Sequence, residues 1–224
     1  MEIHNPLYKN QGIHVISCIF TVEKGITKIL LIKRKNEPFK GMWALVGGAL
    51  YNNEPLDVGM KREIKEKTGI ENVELFLGNV YGNVDRSPVM RMVGISYLSV
   101  LDCKRVALLK ETLKTSNCYW TPITEVSNLA YDHNIVLLDA INVLKEKIIH
   151  TNILKSLFPD GFTIPEIQKT YETILNKKLD RRNFRRKILS FPFIEDTNKE
   201  IFFEGKKPAK LYKFKEKIED KSIF

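Results

Sequence analysis

The sequence predicts an α/β protein in two parts, residues 1–149 and residues 150–224. Three observations carry the prediction. Two β-rich runs at residues 14–22 and 27–33 flank a Glu23-Lys24-Gly25 turn signal, the pattern of a hairpin. Residues 47–70 place paired glycines, an apolar stripe and a closing glycine at intervals that suit a loop, a helix and a second loop. The last third then changes in charge: residues 150–224 hold seventeen Lys and Arg against eleven Asp and Glu, which is +6 of the chain's +9 excess.

Composition bounds the rest. At 224 residues, 43% hydrophobic and 28% charged, the chain has the make-up of a soluble globular protein able to bury a real core. Cys18, Cys103 and Cys118 are odd in number and widely spaced, with no CxxC pair, which argues against a disulfide framework or zinc site and for a reducing cytoplasm. The first ten residues do not read as a signal peptide, and no apolar run approaches the length of a membrane span. The positive excess suits a polyanionic partner.

Taken in order, residues 14–22 and 27–33 should pair as central strands, with Trp43 in the core beyond them. The glycines at 47 and 48 allow a tight turn. Leu56, Met60 and Ile64 recur every four residues as the buried stripe of a helix that Gly69 stops, and Glu63, Glu66 and Lys67 share a second face. Two carboxylates there, beside a glycine-lined loop, can hold a hard divalent cation and a phosphate. Residues 73–81 and 91–101 read as strands around a turn-rich loop at 82–88, and residues 133–149 as a helix with Leu137, Ile141, Leu144 and Ile148 on one apolar face. His133, behind Asp132, reads as a helix-cap element in preference to a catalytic base.

In the basic third, Thr163 with Glu166 three residues on makes a capping box, Pro165 lies in the first turn, and the helix runs to Leu175. Asp180 caps a second helix over 181–189, in which Phe184 and Ile188 point one way, Arg182 and Arg186 lie opposite, and Asn183 and Arg185 flank them. Arginine and asparagine are the side chains best shaped for bidentate contact with guanine and adenine edges; Arg181 and Lys187 suit phosphates. Residues 193–194, 199–203 and 209–214 read as a hairpin turning at Glu204-Gly205, with Lys206, Lys207 and Lys210 at its tip. This is the order of a winged helix-turn-helix. On charge alone, a solvated basic helix serves equally well.

The spacing from Gly48 through Glu54, Arg62-Glu63-Ile64 and Glu66 to Gly69-Ile70 resembles the Nudix box. That resemblance implies an α/β/α sandwich on a mixed sheet, with carboxylates that carry magnesium for hydrolysis of nucleoside diphosphates linked to another group. Lys67 stands where the box has the second glutamate of its pair. A unit charge pair at about 4 Å is worth roughly 1 kcal/mol in water and roughly 4 at an effective dielectric near 20, and a dication doubles that. Lys67 therefore removes a ligand and repels a metal.

Residues 82–100 and the Tyr119-Trp120-Thr121-Pro122 and Leu129-Ala130-Tyr131-Asp132-His133 segments resemble ADP-ribose pyrophosphatases and the Nudix-related transcriptional regulators. The resemblance implies that Asp85, Arg86 and Arg91 line or brace a ligand pocket together with Gly48, Arg62 and Lys67; a loop salt bridge between Asp85 and Arg86 is the alternative. The run Arg181-Arg182-Asn183-Phe184-Arg185-Arg186-Lys187 and the Pro208-Ala209-Lys210-Leu211-Tyr212 ending closely resemble the winged helix of the same regulators. The likeness implies a cytoplasmic repressor that binds a DNA operator as a homodimer, needs no cofactor to do so, and responds to ADP-ribose or a pentose. Magnesium remains possible at Glu63 and Glu66. The alternative is a magnesium-dependent Nudix hydrolase of ADP-ribose or another nucleoside diphosphate derivative, with Glu63 catalytic; a module with no ligand is a third reading.

Overall fold

The computed structural model describes residues 11–202 and 207–216. Strands β1 (Gly12–Glu23) and β2 (Ile26–Arg34) are joined by a turn in which Lys24 and Gly25 both take positive φ, 50° and 77°, as a two-residue hairpin of the primed type requires. Both strands are central, yet they pair directly over only four residue pairs, from Phe20↔Ile29 to Glu23↔Ile26. Strand β3 (Trp43–Ala49) enters between their remaining lengths.

Strands β4 (Phe76–Tyr81), β5 (Met92–Val100) and β6 (Thr115–Pro122) complete a sheet of order β4-β5-β1-β3-β2-β6. β5 runs parallel to β1 and the other pairings are antiparallel, so the sheet is mixed. Alternation along β1 divides the core. Val15 and Ile19 face helix α1 (Leu56–Thr68), whose Met60 and Ile64 are fully buried. Ile16, Cys18 and Phe20 face helix α2 (His133–His150), which buries Val136, Leu137, Ala140, Leu144 and Ile148. The result is an α/β/α sandwich.

Three expectations shift. Residues 73–75 precede β4 and are not strand; Val73 is 5% exposed in the core beneath α1. β6 is an edge strand where the sequence predicts no element. The glycine pair makes no turn: Gly47 and Gly48 lie inside β3, opposite Ile16 and Val15, without left-handed backbone. What they supply is room. A Cβ on Gly47 would stand 2.4 Å from the Val15 carbonyl oxygen, and one on Gly48 would stand 2.2 Å from the Glu63 carboxyl carbon. By contrast Gly69 does stop α1, with φ 78° and its N–H donated to the Lys65 carbonyl.

The basic third holds α3 (Ile164–Leu175), α4 (Arg181–Ile188) and a hairpin of β7 (Ile194–Ile201) and β8 (Ala209–Phe214). The Thr163 N–H and hydroxyl both donate to the Glu166 carboxylate at 2.8 Å, and Asp180 accepts from the Asn183 N–H at 2.8 Å. β7 is continuous, with its register shifting between Asp196 and Lys199, where the sequence predicts two separate segments. The 204–205 turn and Lys206 lie outside the described residues. Phe162, Phe193, Tyr212 and Phe214 form the centre of this part and join one apolar cluster with Ile148, Leu144 and the α2 face of the sheet. The Tyr171 hydroxyl of α3 donates to the Ile148 carbonyl of α2, and Lys155 pairs with Glu74 at 3.2 Å.

Phe162 is fully buried against Phe158, Tyr212 and Phe214. Phe162→Ala should lower stability by about 3–5 kcal/mol, read as a fall in the urea midpoint at unchanged slope. A loss below about 1 kcal/mol would mean that the C-terminal core does not close on this ring.

Candidate functional site

A cleft of about 370 Å³ opens between the end of β3, the Glu63 and Lys67 side chains of α1 and the loop before β5. Its volume lies in the range of small-ligand sites. The lining includes Gly48, Glu63, Lys67 and Arg86 from the expected set, joined by His14, Arg34, Tyr51, Lys114 and Tyr131. Four cations thus face it, against Glu63 and Glu37.

Glu63 is the centre of the charge arrangement. Its side chain is 2% exposed, with Arg62 Nη1 at 2.6 Å and Lys114 Nζ at 3.7 Å from Oε1, and Lys67 Nζ at 2.9 Å from Oε2. Oε2 accepts no aligned hydrogen bond and is held by charge. Burial alone would push this carboxyl up; Lys67, Arg62 and Lys114 outweigh it and leave Glu63 below the ordinary carboxylate range. Burial pulls Lys67 below its usual value against the opposing pull of Glu63. Lys67 also donates to the Gly47 carbonyl. Removing one member of such a buried pair typically costs about 3–5 kcal/mol, because the other is left uncompensated.

Arg62 does not line the cleft but organises its rim. It donates twice to Glu54, at 2.7 and 2.9 Å, and once to the Ala49 carbonyl, and its guanidinium lies 3.8 Å from the centre of the Tyr51 ring. The Arg62 hydrogen bonds hold the Glu54 carboxyl at about 2. Glu66 faces solvent and pairs with Lys114 at 3.1 Å. A divalent cation does not fit this donor set. Both Glu63 oxygens are already engaged by cations, Lys67 fills the place beside Gly47, and among the described residues no three His, Cys, Asp or Glu side chains gather as metal ligands.

The loop after β4 divides the remaining expected residues. Arg86, with its side chain 1% exposed, makes a two-pronged contact with Asp132 at 2.9 Å on each arm, so the Asp85–Arg86 salt bridge does not form. A Cβ at Gly94 would come within 2.7 Å of that guanidinium. Asp85 is exposed and away from the cleft, and its N–H bonds to Asn83. Arg91 braces the same loop through the Gly82 and Asn83 carbonyls at 2.8 and 2.9 Å.

His133 neither caps α2 nor faces the cleft. Its Nδ1 accepts the Leu45 N–H at 3.0 Å, which ties the first turn of α2 to β3, and burial holds it well below its usual pKa. His14 lines the cleft, and burial followed by Arg86 and Lys67 lowers it to about 3. Both rings are neutral at ordinary pH.

The second surface is α4. Phe184 and Ile188 are buried, while Arg181, Arg182, Asn183, Arg185, Arg186 and Lys187 are all exposed. Arg186 bonds to Asn183 at 3.3 Å, so two candidate base-reading groups already lie side by side. Lys207 is exposed near the hairpin tip. Lys210 differs from expectation, since it sits within β8 and pairs with Asp196 at 3.0 Å. No helix among the described residues is long and apolar enough to cross a membrane.

Two family models match the chain. Residues 12–139 match the NUDIX domain, and residues 154–214 match the NrtR DNA-binding winged helix domain. The ADPR responsive transcriptional repressor NtrR of Acinetobacter baylyi is 33% identical over 211 residues, covering 92% of this chain and 83% of that protein. The crystal structure of Shewanella oneidensis NrtR complexed with a 27mer DNA superposes with a TM-score of 0.74 at 26% identity, over 91% of this chain and 93% of that one. The NUDIX domain of the same protein, complexed with ADP ribose, gives 0.57 at 27% identity over 62% and 91%. The chain belongs to the Nudix-related transcriptional regulators, in which a NUDIX domain is joined to an NrtR-type DNA-binding winged helix.

Proposed function

We propose that the protein is a DNA-binding transcriptional repressor whose Nudix domain senses ADP-ribose. The observation that carries this is α4: a short helix with two apolar anchors and six exposed polar or basic side chains, in a chain similar along nearly its whole length to a regulator seen on DNA. Arg182, Asn183, Arg185 and Arg186 would read base edges in the major groove, with Arg181, Lys187, Lys206 and Lys207 on phosphates. A cytoplasmic homodimer would place two such helices on a palindromic operator.

The cleft supports a sensor. Its cations suit a diphosphate, and Arg86 reaches from the cleft to Asp132 at the start of α2, whose other end meets Tyr171 of α3. A ligand that prefers one setting of Arg86 would bias α2, and through it the winged helix; differential affinity of this kind is all a ligand needs to shift a population. Residues 1–149 would then be the sensor and 150–224 the DNA-binding part.

Hydrolysis should be weak or absent. With ADP-ribose and magnesium, turnover should lie far below the roughly 1 per second at which ordinary enzymes begin; a rate at or above that would restore the hydrolase reading.

On DNA, Arg182→Ala or Arg186→Ala should weaken binding to the cognate operator by about 1–3 kcal/mol and relax preference at one base pair. Lys207→Ala should act about equally on all sequences and reduce the salt slope by about one unit, since a phosphate contact releases a counterion and carries no base information. Titrations at two salt concentrations, with DNA from upstream of the protein's own gene and an unrelated duplex, check both. Equal affinity for the two duplexes would remove the repressor reading.

A further inference from the structure

We infer that Lys67 is a built-in cation standing in for the divalent metal, so that the cleft receives a diphosphate directly on ammonium and guanidinium groups. The inference rests on the sensor reading above and deepens it. Lys67 Nζ lies between the Gly47 carbonyl and Glu63 Oε2, in a position that needs a positive charge once Glu63 is buried and ionised. Its side chain is 8% exposed and still lines the cleft, so the remaining face of the ammonium points where a ligand would lie.

Lys114 extends the same arrangement. It approaches Glu63 at 3.7 Å and Glu66 at 3.1 Å, and its side chain is 42% exposed and lines the cleft. Arg34 and Arg86 line the same cleft. An ammonium carries one charge where a metal carries two, and it offers hydrogen-bond donors but no open coordination position to polarise a bridging oxygen or activate water. Lys67 therefore keeps attraction for a diphosphate while removing the means to cleave it. Binding and turnover, coupled in a metal site, are separated by this one side chain.

The test uses the full chain, with ADP-ribose titrated in EDTA and in magnesium, and Mn2+ uptake followed by electron paramagnetic resonance. Wild type should bind ADP-ribose within about two-fold in the two buffers and take up no Mn2+. Lys67→Met should weaken ADP-ribose at least ten-fold in EDTA. Because Lys67→Met leaves Glu63 uncompensated and can fail to fold, the double variant Glu63→Gln with Lys67→Met, which removes both charges, should show the same ten-fold loss.

Three results would overturn the inference: binding that requires magnesium, Mn2+ uptake by wild type that Glu63→Gln abolishes, or folded Lys67 variants that bind as tightly as wild type. If ADP-ribose binds in neither buffer, inorganic pyrophosphate decides. Thermal protection of wild type by pyrophosphate, lost in the double variant, would discard ADP-ribose as the effector and still uphold Lys67 as the anion's cation. No protection by either compound would overturn both.

Discussion

A carboxylate taken almost wholly out of water requires positive charge beside it, and Glu63 imposes that requirement on the whole N-terminal domain. Gly48 must lack a Cβ for the carboxyl to lie against β3 at all. Lys67 must reach back one turn to Oε2, and Arg62 must span Glu63 and Glu54, which fastens the loop before α1 to the helix itself. The side chain that ties α1 to β3, Lys67 on the Gly47 carbonyl, is thus also the one that neutralises the carboxylate. The contacts that hold the buried carboxylate are the same ones that occupy both of its oxygens.

Much of this was legible because it is local. The i, i+4 spacing of Glu63 and Lys67 puts them on one helix face, and the mismatch at Lys67 is visible as a charge of the wrong sign. The Thr163–Glu166 box, the Asp180 cap and the inward Phe184 and Ile188 were legible for the same reason, since each depends on residues within one or two helical turns. A glycine pair is ambiguous, because room for a neighbour and freedom to turn look identical in sequence; only the Glu63 carboxyl against Gly48 decides between them.

The illegible part depends on long-range closure. Lys114 meets Glu66 across 48 residues and Arg86 meets Asp132 across 46, so no local pattern marks either pair. Lys210 reads as a wing-tip residue in the sequence because its partner, Asp196, which stands opposite Tyr212, comes within reach only once the hairpin registers. β6 has no sequence signal because Thr115-Ser116-Asn117 shows no apolar alternation; as an edge strand it needs only partial burial and one neighbour, β2.

Helix α2 is the element through which these parts act on one another. His133 fixes its first turn to β3, Asp132 holds the cleft arginine, and Ile148 near the far end accepts the Tyr171 hydroxyl. Eighteen residues of α-helix span about 27 Å, stiff on that length because its buried face packs along the sheet. The apolar cluster does not stop where the sheet does; it continues through Ile153 and Leu154 into Phe162 and the base of α3. The shift proposed at Arg86 would therefore enter an element whose apolar packing is continuous with that of the winged helix. Close-packed interiors transmit displacement in this way, and a charged cleft at one end of such a rod, with a basic helix beyond the other, is a physical basis for a change in one being felt by the other.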